Sequence, residues 1–138
     1  MSHRLFFLLL FASAFACRQP QAPADQADGT ITGKVLPGAA AGHTGKITVV
    51  AAFTSRMEQI DWSKNRDVLN SFGAFEITDL VGGKYYLAAF LDVNGNSRFD
   101  RGDFWGGYDA DGDGRLDPVT LIGGKTLTLD IAMIARLD

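Results

Sequence analysis

Short runs in which every second residue is apolar recur along most of the chain, separated by glycine-containing turns. Ile31, Gly33 and Val35 alternate with polar neighbours and predict a first strand. A second is predicted over 46–54, with Ile47, Val49, Ala51 and Phe53 on one face. The segment 73–80 sends Phe75 and Ile77 inward, and a turn at 81–84 leads into 85–91. That last run is apolar almost throughout, which fits a central strand covered on both faces. A short strand at 119–122 and a longer one at 126–134 close the series, the latter with Leu127, Leu129, Ile131 and Met133 on a shared face. The polar segment 55–70 has no clean period and fits a loop, a short helix or an irregular edge strand. Six or seven strands with no helical period predict an all-β fold, a single antiparallel β-sandwich over residues 30–138.

The pattern breaks at 92–117, DVNGNSRFDRGDFWGGYDADGDGRLD, expected as a long acidic loop inserted between two strands. Loops that wrap a hard cation place oxygen ligands at positions 1, 3, 5, 7 (through a carbonyl), 9 and 12. Counted from Asp92, those positions hold Asp92, Asn94, Asn96, the Arg98 carbonyl, Asp100 and Asp103. Counted from Asp109 they hold Asp109, Asp111, Asp113, the Arg115 carbonyl and Asp117, but position 12 is Thr120, which is no carboxylate. Gly114 occupies the sharp-turn position of the second set and Leu116 its apolar slot; the first set has Ser97 at the turn. Alternate spacing matters because a tightly curled loop turns every second side chain to one centre, where carboxylates repel unless a cation lies between them. The donors are all oxygen, so Ca²⁺ is preferred over Mg²⁺, which keeps more of its water, and zinc is disfavoured. Two arrangements fit: one ion per loop, or one shared site in which the first loop completes the second.

Charge sharpens this picture. The formal net charge is −3, and the negative excess sits in the same stretch, where seven Asp face only Arg98, Arg101 and Arg115. No basic run exists to grip a nucleic-acid backbone. There is one cysteine, Cys17, and no intrachain disulfide can form. Residues 1–16 carry Arg4, the apolar run 5–11 and the small-x-small end Ala14-Phe15-Ala16, the pattern of a secretory signal peptide. Cys17 follows at once, and the arrangement resembles a bacterial lipoprotein signal, in which that cysteine is acylated and becomes the mature N-terminus. The match departs from the family at Ala14, where leucine is usual, and at bulky Phe15; ordinary cleavage after Ala16 is the competing expectation. Residues 17–29, rich in Pro, Gln and Ala, read as a flexible tether. The resemblance implies a membrane-anchored lipoprotein of the outer membrane or cell surface, with a soluble periplasmic or extracellular protein as the alternative.

The order of strands also resembles a family. Gly73-x-Phe75-x-Ile77-x-x-Leu80-x-x-Gly83-x-Tyr85 is similar to the hairpin of carboxypeptidase regulatory-like domains, which are prealbumin (transthyretin)-like β-sandwiches. The likeness covers about residues 29–135, with the 55–72 connection and an EF-hand-like, dockerin-like calcium-loop insertion at 92–117 as departures. It implies a non-catalytic accessory or binding module and identifies no partner.

Between the two ligand sets lie Phe104, Trp105 and Tyr108. They fit either a cover over one end of the sandwich or a platform for a carbohydrate or an envelope protein. Trp62 has the same two readings, and His43 reads as a solvated surface residue. No Ser-His or Cys-His pairing and no G-x-S-x-G or H-E-x-x-H motif is present. The expectation is therefore a secreted, lipid-anchored calcium-binding module with an accessory or scaffolding role at the cell envelope, and not an enzyme. A metal-dependent hydrolase and an envelope assembly component with purely structural calcium are the alternatives.

Overall fold

A computed structural model describes residues 26–138; the segment expected to be a signal peptide, Cys17 and most of the expected tether lie outside the described residues. Nine strands form: β1 Ala27–Leu36, β2 Lys46–Ala52, β3 Arg66–Leu69, β4 Gly73–Val81, β5 Gly83–Asp92, β6 Phe104–Gly107, β7 Pro118–Leu121, β8 Thr126–Thr128 and β9 Ile131–Arg136. Two single 3₁₀ turns, Gly38–Ala40 and Met57–Gln59, are the only helical elements among the described residues. The fold is all-β, as the periodicity predicts.

Its architecture is one curled mixed sheet in the order β3-β2-β5-β6-β9-β1-β4, with β7 added to β5 and β8 to β1. Most pairs are antiparallel, but β1 runs parallel to both β8 and β9. The ends of the order meet: the Glu76 N–H of β4 donates to Asp67 Oδ2 of β3 at 2.9 Å. The expected strand count was low because several predicted segments conceal extra strands. The 55–70 segment contains β3, an edge strand on β2. The predicted last strand is broken at Leu129 and Asp130. There Asp130 Oδ1 accepts the Lys34 N–H, and the Leu129 N–H donates to the Thr32 carbonyl. At the other end, Ala27 and Gly29, expected in the tether, are paired with Val81 and Leu80 of β4.

The core follows from the alternation. Ile31 and Val35 of β1, Ile47, Val49 and Ala51 of β2, Phe75, Ile77 and Leu80 of β4, and Tyr85, Leu87, Ala89 and Leu91 of β5 share one buried cluster. Each large aliphatic side chain fully withdrawn from water contributes about 1.5–3 kcal/mol. Gly33, on the same alternation, admits no side chain, because a Cβ there would lie 1.6 Å from the Leu129 carbonyl oxygen. β5 is covered on both faces, as its apolar run predicts: Ala88 belongs to a second cluster with Val50, Ala52, Ile60 and Leu116. The 55–70 connection roofs that second cluster with Met57, Ile60 and Trp62. Phe53 departs from expectation. β2 ends at Ala52, opposite Tyr86, and Phe53 beyond it is 74% exposed.

The stretch 92–117 is not one loop. β6 lies inside it and occupies the middle of the sheet, bonded to β5 on one side and β9 on the other. Residues 93–103 close the β5–β6 hairpin. Residues 108–117 leave and rejoin the same edge of β5, because Gly107 faces Ala88 and Pro118 faces Tyr86, with only Leu87 between. The Leu87 carbonyl accepts the Tyr108 N–H, and the Tyr108 carbonyl accepts the Asp117 N–H, which pinches the neck of this excursion.

Candidate metal centre

Two hairpin-like loops therefore flank a strand, and each curls about its own carboxylate. In the first, Asp92 is buried and its two oxygens accept the N–H groups of Gly95 and Ser97 at 3.0 and 2.8 Å. Asn94 Oδ1 accepts the Asn96 N–H, and Asn96 Oδ1 accepts the Arg98 N–H. In the second, Asp109 accepts the N–H groups of Gly112, Asp113 and Gly114. Asp111 Oδ1 accepts the Asp113 N–H, and Asp113 Oδ1 accepts the Arg115 N–H. Position by position this is the same wrap: the first residue holds the fourth and sixth N–H, the third holds the fifth, and the fifth holds the seventh.

The backbone repeats as well. The fourth positions, Gly95 and Gly112, have φ of 74° and 71°, and the sixth positions, Ser97 and Gly114, have φ of 63° and 80°. Left-handed backbone is open to glycine without penalty and disfavours other residues, so the glycines of the second loop allow its curl where Ser97 strains the first. The eighth positions act alike. Leu116 is buried in the second cluster, beside the partly buried Trp62 that packs on it. The ring of Phe99 lies 5.6 Å from those of Trp62 and Phe90. Leu116 was visible in the sequence as an apolar slot; Phe99 and the role of Trp62 in seating the loops were not, although the matching eighth position was the available signal.

The two loops differ in what they gather. In the second, oxygens of Asp109, Asp111 and Asp117 all lie within 4.8 Å of one another, a spacing that one metal ion could bridge. Asp113 stands outside this group, its Oδ1 committed to the Arg115 N–H. In the first loop Asp92, Asp100 and Asp103 form no such group. Asp100 instead receives the side-chain amides of Asn94, at 3.1 Å, and Asn96. Asp103 is fully buried, and its oxygens accept the N–H groups of Val93 and Asp100. The set that looked complete in sequence is thus the one that satisfies itself with amides, and the set that looked incomplete brings carboxylates face to face. Thr120, at position 12 of the second set, sits in β7 opposite Lys84. The loops leave opposite ends of β6, which gives no support to a shared site.

The electrostatics agree. Asp111 is raised above the ordinary carboxylate range, first by the hydrogen bond it shares with Asp109 and then by the charges of Asp113 and Asp117, despite the Asp113 N–H. Asp109 is lowered: partial desolvation pushes it up, but the Gly114 N–H, Asp111 and the Asp113 and Gly112 N–H groups outweigh that. Carboxylates crowded in this way repel one another, and a divalent cation between them relieves that repulsion. Asp100 lies below the usual range, chiefly through the Asn96 amide. Burial raises Asp103, against the backbone N–H groups of Asp100 and Val93. The donor set at Asp109, Asp111 and Asp117 is oxygen only, which fits a hard cation.

Of the two readings of the aromatic segment, burial favours the cover. Phe104 is not a ligand platform but a member of the main core, 6% exposed, with the His43 ring at 4.6 Å and the Arg136 guanidinium at 5.9 Å. Trp105 is partly buried opposite Phe90, and Tyr108 packs against the main core. His43 is exposed, as expected. Comparison of the chain with protein-family models, with curated proteins and with solved structures found no match.

Proposed function

We propose that this protein is a secreted calcium-binding β module, anchored by an acylated Cys17, with an accessory binding or scaffolding role at the cell envelope. The observation that carries the reading is the convergence of Asp109, Asp111 and Asp117 within 4.8 Å in a loop whose backbone curl, with the first residue holding the fourth and sixth N–H, is repeated around Asp92. The ion of the second loop takes those three carboxylates, with Asp113 and the Arg115 carbonyl drawn in as the loop tightens. A second ion in the first loop would take Asp92, Asn94, Asn96, the Arg98 carbonyl, Asp100 and Asp103, displacing the amides now on Asp100. Calcium suits this better than magnesium because it accepts six to eight oxygens in irregular geometry. The affinity expected of an extracellular module is about 10⁻⁴–10⁻³ M.

The scaffold is read as a carboxypeptidase regulatory-like, prealbumin-type sandwich. Burial of Phe75, Ile77, Leu80 and Tyr85, the apolar residues of the hairpin motif, supports that reading. The role is binding rather than catalysis, since the acidic residues are accounted for as ligands and loop-curling acceptors. Calorimetric titration with Ca²⁺ and with Mg²⁺ tests the ion. Asp111→Asn keeps the acceptor for the Asp113 N–H but removes one charge, and is expected to weaken calcium binding at the second loop at least about tenfold, equivalent to ~1.4 kcal/mol. Equal heats for wild type and Asp111→Asn, or no heat at millimolar calcium, refute the assignment.

A further inference from the structure

A different part of the molecule carries the features of a ligand site. Phe53, just past the end of β2, is the most exposed of the large apolar side chains among the described residues. Its ring is not loose: it lies 5.4 Å from the Tyr85 ring at 33°, and Tyr85 is buried with its hydroxyl donating to the Val81 carbonyl at 2.5 Å. One face of Phe53 is thus braced while the side chain as a whole stays in water. Clefts open on both sides of it. One, of about 430 Å³, is lined by Phe53, Asn65, Asp79, Val81, Lys84 and Tyr85, among others. The other, of about 120 Å³, is walled by the same Phe53 and Asn65 together with Gln59, Asp61 and Lys64. The larger one falls in the range of small-ligand sites.

Two further facts single out this place. Of the non-glycine residues with positive φ among those described, Asn65 (49°), Asp79 (59°) and Ser97, two line this cleft and the third belongs to the first acidic loop. Strained residues of this kind concentrate where function fixes the backbone. The rim is also mixed and electrically balanced: Asp61 and Asp79 against Lys64 and Lys84, with the amides of Gln59 and Asn65 between. Such a rim offers donors and acceptors without net charge, so it favours an uncharged polar ligand over a phosphate or an acidic peptide. On one side β5 is paired with β7 from Gly83 to Tyr86, but on the other β2 reaches only to Tyr86, so strand addition by a peptide is limited to the short edge Gly83–Tyr85. Recognition then rests mainly on side chains: an apolar ring face beneath and hydrogen bonds at the edge. A pyranose has the complementary form, an apolar C–H face and a rim of hydroxyls.

We propose that the Phe53 cleft binds a neutral glycan chain, one sugar stacked on Phe53 and its neighbours in the two flanking hollows. No residue of either ion loop lines the clefts, so the site stands or falls apart from the metal reading. The test is calorimetric titration of the mature chain, in calcium, with cellotetraose, maltotetraose and chitotetraose. Saturable binding of at least one is expected, weakened about tenfold or more by Phe53→Ala and retained by Phe53→Trp, which offers a larger face. The melting temperature and the calcium titration of Phe53→Ala read the fold and the ion loops separately. Absence of binding by all three at about 10 mM, a concentration that detects even weak complexes, overturns the proposal. So does binding that Phe53→Ala leaves at full strength, or capture of a proline-rich peptide at Phe53 in place of the sugars.

Discussion

At the scale of single residues, the two acidic loops differ in what holds their charge. Asp100 in the first loop is met by two amides, whereas in the second Asp111, beside Asp109, is raised above the ordinary carboxylate range. The protonated form of Asp111 contributes stability to the ion-free protein that is full below the ordinary carboxylate value and is lost as pH rises through the raised one, while the lowered Asp109 contributes with the opposite sign. Cation binding needs that proton removed, so calcium affinity at the second loop should fall on acidification, starting above the usual carboxylate range. In the first loop the two shifts oppose one another: Asp100 is lowered by the Asn96 amide, whereas burial raises Asp103, so acidification reaches Asp103 first there. Calcium titrations of the two loops across pH 4 to 7, with Asp111→Asn and Asp92→Asn to separate them, check this; an affinity at the second loop that does not fall on acidification would contradict it. Ser97 supplies a second residue-scale prediction. Its φ of 63° is the strained counterpart of Gly114, and Ser97→Gly should raise thermal stability by roughly 1 kcal/mol, measured by denaturant unfolding. The alternate ligand positions were legible in the sequence because the curl of such a loop is dictated by side-chain oxygens two residues apart. Their relative completeness was not, because an asparagine can serve an ion through its oxygen or a neighbouring carboxylate through its nitrogen, and spacing does not distinguish these.

At the scale of elements, the second hydrophobic cluster is what joins the loops to the sheet. Leu116 enters it from the second loop, Trp62 packs on it from the 55–70 connection, and Phe99 meets Trp62 from the first loop. Trp62 thus touches the seating of both, and its emission should shift when calcium is added. Leu116→Ala should destabilise the protein by about 2–5 kcal/mol and weaken ion binding at the second loop more than at the first, compared by melting and by calcium titration. The hidden strands explain what sequence reading missed here. β6 is Phe-Trp-Gly-Gly, and its two glycines have low strand propensity and read as a turn; only pairing on both sides makes it a strand. Phe53 continued the alternation of β2 in sequence, yet β2 pairs with β3 only as far as Val50, opposite Arg66, and with β5 only as far as Ala52, opposite Tyr86, so Phe53 lies beyond the ladder and its ring is exposed. The central β5 was legible because a fully apolar run needs cover on both faces.

At the scale of the whole molecule, the second loop is an excursion from an otherwise continuous edge. β6 and β7 both lie along β5, separated by the single residue Leu87. Replacing residues 108–117 by one glycine should leave a folded sheet, at reduced stability because Leu116 is gone, while abolishing one calcium site. Circular dichroism and calorimetry together check both halves, and loss of the sheet would show that the loop is integral to the fold. All-β class, core-facing residues and the acidic insertion could be read from the chain. The curl of a single mixed sheet could not, because it depends on pairings between distant segments, β1 with β8 and β9, that leave no local trace.

The side chain that joins the two ends of that sheet has a consequence for solubility. β3 and β4 each have one strand neighbour, and the Asp67–Glu76 bond turns their open borders toward one another. Unpaired strand borders are templates for joining with other molecules, and globular proteins survive by hiding them. In this protein one carboxylate shuts the seam, so Asp67 guards against aggregation as much as it stabilises the monomer. Concentrated or heated samples lacking it would be the ones to cross over into intermolecular β assembly.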